Sequence, residues 1–122
     1  CHTQNSQAFR SKRYFITLRP KHKSDYQSIR QVVRPIKRAT HPCPTAANIH
    51  LHNSLEEFDP HLHLTVATDN LDALQARLSH FLPNWRMEYA NRARNPAATV
   101  LYASSKLDAD PIFFRPGLAE LC

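Results

Sequence analysis

Hydrophobic and polar positions alternate along much of this chain, and the period changes from segment to segment. Residues 13–19 (RYFITLR) are aromatic and β-branched without a breaker, and Pro20 closes them, which predicts a strand. Ser24 can cap a helix that begins at Asp25. Tyr26, Ile29, Val32 and Val33 fall at helical spacing, and Pro35 is expected to stop or kink it. A proline-marked loop is expected over 39–47. Asn48–His52 (NIHLH) and His61–Ala67 (HLHLTVA) both alternate with period two and predict a hairpin with a long acidic connection. Asn70 can cap a helix over 71–81 whose Leu71, Leu74, Leu78 and Phe81 share a face with Leu82, and Pro83 ends it. Trp85–Ala90 reads as a strand. Asn95-Pro96 reads as a cap and first turn of a helix reaching about Leu107, and Ile112–Arg115 as a last short strand.

The predicted order is β-α-β-β-α-β-α-β. Strands that can form hairpins, with helices between them, predict an α+β fold: a ferredoxin- or RRM-like antiparallel sheet of about five strands packed on helices. The length of 122 residues suits a single domain spanning 1–122, with residues 1–12 as a flexible arm.

Composition changes the picture in two ways. The chain holds 1 glycine, so neither GxxxxGK[ST] nor GxGxxG can be written in it, which excludes a P-loop motor and a Rossmann cofactor loop. It also holds 8 histidines, which direct attention to metal. The formal net charge of +6 is unevenly spread. Residues 1–40 hold ten Lys/Arg against one acid, and residues 41–70 hold four acids and no Lys or Arg. A basic lobe beside an acidic, histidine-rich stretch suits a polyanion held next to a cation, although a solvated basic face is the plainer alternative. Cys1, Cys43 and Cys122 form no CxxC and no disulfide framework, which suits a reducing compartment. No apolar run reaches the ~20 residues of a membrane span, so no membrane association is expected.

The chemistry centres on His61-Leu62-His63. Period two puts both imidazoles on one face of a strand, where they can share a cation. HxH alone is more often two half-exposed strand residues. The preceding strand adds His50 and His52, also on one face, and the hairpin lays them alongside. His52 is the expected third ligand, with Glu56, Glu57 or His50 as alternatives. Such a set, with a position left open, fits Mn²⁺ or Mg²⁺, and less well Zn²⁺, acting as a Lewis acid on phosphate. Tyr102 and Lys106, four apart on the expected third helix, share a face. Tyr102 could be the nucleophile of a transesterification and Lys106 could orient the phosphate, although packing is the commoner fate of such a tyrosine. His2, His22, His41 and His80 have no evident role.

Taken together, the chain resembles the nuclease domain of rolling-circle replication initiators (Rep proteins) of the HUH endonuclease superfamily, nearest to those of circular single-stranded DNA viruses and plasmids. Phe15-Ile16-Thr17-Leu18-Arg19-Pro20 resembles the first-strand motif, His61-Leu62-His63 the HUH motif, and Tyr102…Lys106 the tyrosine motif. The resemblance covers roughly residues 13–117. The lysine spacing is YxxxK where the viral group has YxxK, and the position of the family's frequent glutamate ligand holds His52.

The resemblance implies a site-specific single-stranded DNA endonuclease that nicks and rejoins origin DNA. It would use a divalent metal and a 5′-phosphotyrosine intermediate on Tyr102. Arg13, Arg19, Lys21 and Lys23 would hold the DNA backbone of a single strand or hairpin. With no glycine loops for a helicase, the chain would be a helicase-less initiator or an excised domain. It would work with a separate helicase or by self-association, in the nucleus for a eukaryotic virus and in the cytoplasm for a prokaryotic element. Two alternatives remain at this level: a single-tyrosine HUH transposase or small relaxase, and a non-catalytic RRM-like nucleic-acid-binding module.

Overall fold

The structure is a computed structural model and describes residues 12–92 and 109–117. Strand β1 (Lys12–Pro20) leads through a single 3₁₀ turn (Lys23–Asp25) to helix α1 (Ile29–Thr40). Strands β2 (Thr45–His52) and β3 (Phe58–Thr68) form a hairpin, followed by helix α2 (Leu71–Phe81), β4 (Trp85–Arg92) and β5 (Ala109–Arg115). The sheet order is β4-β1-β3-β2-β5, with every pairing antiparallel. Its first four strands and two helices are two interleaved split β-α-β units, the ferredoxin-like arrangement, and β5 extends the sheet beside β2. The fold is α+β, as the order of periodic segments predicts. The expected helix over 96–107 and residues 1–11 of the expected arm lie outside the described residues, whereas Lys12, given to the arm, is the first residue of β1 and pairs with Thr68. No helix among those described is long and apolar enough to cross a membrane.

Alternation sorts the sheet into two faces. Ile16 and Leu18 of β1, Ala47 and Ile49 of β2, and Leu62, Leu64 and Val66 of β3 point one way and are buried. There they meet Val32, Ile36 and Ala39 of α1 and Leu74 and Leu78 of α2 in one hydrophobic cluster. Phe15, Thr17, Asn48, His50, His61, His63 and Thr65 take the opposite face, fixed by the cross-strand partners Thr17↔His63, Asn48↔His63 and His50↔His61. The helices cover the leucine face, so the histidines lie on the other side of the sheet.

Helix α1 departs from expectation at both ends. It starts at Ile29 rather than Asp25, because Ser24 and Asp25 belong to the 3₁₀ turn, where Asp25 Oδ2 accepts from the His22 amide at 3.0 Å. It also runs five residues beyond Pro35. Pro35 cannot donate to the Gln31 carbonyl, but burial of Ile36, Ala39 and Thr40 against the sheet outweighs that lost bond. Arg115 at the end of β5 then closes the helix. Its guanidinium donates to Lys37 O at 3.0 Å, Cys43 O at 3.0 Å and Thr40 Oγ1 at 3.1 Å, a cation on the carbonyl end of the helix. Helix α2 follows the predicted bounds, with Asn70 Oδ1 accepting from the Ala73 amide at 3.0 Å. The β2–β3 connection is only residues 53–57, shorter than predicted. Asn53 Oδ1 accepts from the amides of Leu55 and Glu57, and Glu56 takes φ 61° in the left-handed region.

Candidate metal and phosphate-chemistry site

His50, His61 and His63 converge. One ring nitrogen of each lies within 4.8 Å of those of the other two. The ring centroids are 4.4 Å apart for His50–His63, 4.9 Å for His50–His61 and 4.8 Å for His61–His63. This packing follows from the ladder. His61 and His63 are two residues apart on the central strand β3, and His50 is the direct cross-strand partner of His61. His50 and His61 are buried and His63 is half-buried.

His52, the expected third ligand, is not in this group. The register breaks between His50 and His52, so that His52 pairs with Phe58 while Asp59 and Pro60 bulge opposite Leu51. Pro60 has no amide to give the ladder, which explains why the bulge sits there. His52 is exposed at the sheet end, with its ring 6.4 Å from that of Phe58. Glu56 and Glu57 are exposed in the tight connection and do not join the group. Of the alternatives legible in the sequence, His50 is the one brought to His61 and His63.

Several neighbours hold the imidazoles. His61 Nδ1 lies 2.8 Å from the Asp59 carbonyl oxygen. A carbonyl can only accept, so Nδ1 carries the proton and Nε2 keeps its lone pair, the state a metal ligand requires. His63 Nδ1 lies 3.3 Å from the Thr17 hydroxyl, and the His63 ring stacks on Phe15 at 5.2 Å and 12°. Burial pushes the His61 imidazole below its ordinary pKa. Arg19 and His50 push the same way, against the Asp59 hydrogen bond, which favours the protonated ring. His61 is therefore neutral near pH 7.

Arg19 is held beside this site. Its guanidinium pairs with Asp59, the residue whose carbonyl receives His61, and its Nε donates to Glu88 Oε2 at 2.5 Å. Glu88 is the extra residue where the β1–β4 register shifts, which frees it from the ladder to reach Arg19. The other residues expected to hold DNA are spread along β1: Arg13 near its start, and Lys21 and Lys23 exposed just after its end. Tyr102 and Lys106 lie outside the described residues. Thr17 lies within the first-strand motif, which gives it no role of its own, and Asp59 carries no motif signal. Thr17 could be found from strand alternation, whereas Asp59 acts through its backbone and could not.

No family model, curated protein or solved structure matches the chain.

Proposed function

We propose that this domain is a metal-dependent, tyrosine-type single-stranded DNA endonuclease of the HUH kind, which nicks and rejoins DNA at a replication origin. The observation that carries the reading is the convergence of His50, His61 and His63 on one face of a five-stranded antiparallel sheet, with the HxH pair on the central strand. The donor set fits a divalent ion: three imidazoles within reach of one another, at least one of them neutral with its Nδ1 proton committed to a carbonyl. Oxygen-seeking Mg²⁺ suits three nitrogens poorly, which favours Mn²⁺ or Zn²⁺. Bound there, the ion would supply Lewis acidity to a phosphate oxygen.

The chain's residues would do the remainder. The phenol oxygen of Tyr102 would attack phosphorus in line, forming the Tyr–O–P bond as the P–O3′ bond breaks. The tyrosine proton would leave to solvent, and the departing 3′ oxygen would take one up. Lys106 would bind a non-bridging oxygen of the same phosphate. Reversal rejoins the ends. Arg19 would position His61 through residue 59 rather than grip DNA.

The test is incubation with labelled single-stranded hairpin oligonucleotides and Mn²⁺, followed by a denaturing gel. A covalent protein–DNA band is expected, lost in Tyr102→Phe and in His63→Ala. A band that persists in Tyr102→Phe would remove the tyrosine from its role. Salt-sensitive binding with no cleavage of any oligonucleotide would favour the non-catalytic binding module.

A further inference from the structure

Helix α1 carries Arg30, Arg34, Lys37 and Arg38 and no acidic residue. All four cations are exposed. Arg30, Arg34 and Arg38 follow one another at four-residue steps, so they form one stripe about 12 Å long. With ~3.6 residues per turn, that stripe lies on the side of the helix opposite Val32, Ile36 and Ala39, which are buried in the core. No carboxylate among the described residues forms an ion pair with any of the three arginines. Like charges four apart weaken a helix, and so does a cation in its first turn. Arg38, in the last turn, is favourable to the helix end, but the mutual repulsion of the three and the place of Arg30 in the first turn are not, so the stripe as a whole adds little to the stability of the element that carries it.

We infer that the outer face of α1 is a second nucleic-acid contact surface, which binds the phosphate backbone without reading sequence. Guanidinium groups present paired donors that match phosphate oxygens, and three in a row suit a repeating polyanion. An anionic membrane would also attract this charge, but a membrane-binding helix needs apolar side chains to insert. On α1 those side chains are committed to the core. The surface lies on the helix side of the sheet and the histidines on the other, so it is a separate site. It requires neither the metal ligands nor Tyr102.

The test is fluorescence anisotropy with a short labelled single strand and the corresponding duplex, titrated in EDTA across a series of salt concentrations. EDTA removes metal-dependent nicking, so failure here and failure of the nuclease reading are distinguishable. Arg30→Gln/Arg34→Gln/Arg38→Gln is expected to weaken binding to both. It should also reduce the slope of log K against log salt by about 2 to 3, one step per lost phosphate contact. The triple lysine variant is expected to retain most of the slope. Thermal unfolding should show the glutamine variant at least as stable as the parent. Unchanged affinity and slope in the glutamine variant would overturn the proposal. So would tighter binding of the parent to phosphatidylserine vesicles than to DNA at the same salt.

Discussion

His61 donates its Nδ1 proton to the carbonyl of Asp59, two residues earlier on the same strand, at 2.8 Å. In a regular strand a side chain does not reach back to that carbonyl. It does so here because Asp59 and Pro60 bulge out of the ladder opposite Leu51. The same bulge shifts the residue of β3 opposite His52 from Asp59 to Phe58, and His52 lies beyond it, exposed at the end of the sheet. The regular ladder up to His50↔His61 thus sets which residue of β2 stands beside His61, and the bulge just beyond it orients that imidazole.

The first prediction concerns that choice. His50→Ala, His61→Ala and His63→Ala should each weaken Mn²⁺ and Zn²⁺ binding by at least tenfold in isothermal titration, since each removes one of three donors. His52→Ala should leave affinity within about twofold, because its ring is displaced beyond the bulge. A His52→Ala variant as defective as His50→Ala would contradict the geometry. Zn²⁺ should bind more tightly than Mn²⁺, and Mg²⁺ most weakly, as nitrogen donors require.

Much of this site was legible in the sequence. Period two placed His61 and His63 together, and the hairpin brought His50 and His52 to their side. What could not be read was the bulge, because its cause is the combination of buried Pro60 with the short turn held by Asn53. Of the two outcomes expected at Pro35, a stop or a kink, the stop does not occur, for a related reason. Pro35 is a strong local stop signal, but it is overruled by tertiary burial of Ile36, Ala39 and Thr40, which no window of sequence contains. Helix α2 agreed with expectation because its local signals, the Asn70 cap and the Leu71/Leu74/Leu78 stripe, point the same way as its packing. From the sequence Arg19 is a DNA-backbone contact within the first-strand motif and Arg115 the end of the last strand. Only the fold shows that one braces two carboxylates and the other closes α1.

The second prediction tests Arg19 as a positioning residue. Arg19→Gln leaves Asp59 without its cation, while Glu88 keeps Arg86, and should destabilise the fold by about 0.5–1 kcal/mol, since the pairs are partly exposed. Because Arg19 acts on His61 one step removed, through residue 59 whose carbonyl remains, the variant should weaken Mn²⁺ binding by up to about tenfold, the low end of the cost of an outer-shell partner. Arg19→Lys can reach one carboxylate but not fork between two, so it should restore part of each effect. Equal loss of stability with unaltered metal affinity would leave Arg19 a purely structural brace.

The third prediction concerns pH. The folded state holds His61 below its ordinary pKa, chiefly through burial, so the unfolded chain binds that proton more readily. The stability this neutral ring contributes is fully present above about pH 6.5, the unfolded value. It is lost as pH falls from there through the lower folded value. Urea unfolding of the metal-free protein should be nearly level from pH 7 to 8 with respect to this group and decline towards pH 5, less steeply in His61→Gln. Protons and metal compete for the same nitrogens, so Mn²⁺ affinity should fall over the same interval. Stability that rises on acidification from pH 7 to 5, and rises less in His61→Gln, would mean that the ring is held protonated.

The last prediction returns to Pro35. It sits in the seventh position of a 12-residue helix, where its ring removes one backbone hydrogen bond and crowds the preceding turn. In a helix interior, proline is disfavoured relative to alanine by about 3 kcal/mol, offset by up to ~1 kcal/mol because proline restricts the unfolded chain. Its ring is half-buried, so some packing is lost on truncation. Pro35→Ala should therefore stabilise the protein by about 1–2 kcal/mol in chemical denaturation, with no change in metal binding, because α1 packs on the sheet face opposite the histidines. A neutral or destabilising outcome would show that the Pro35 ring contributes more to the packing of α1 than the missing hydrogen bond costs.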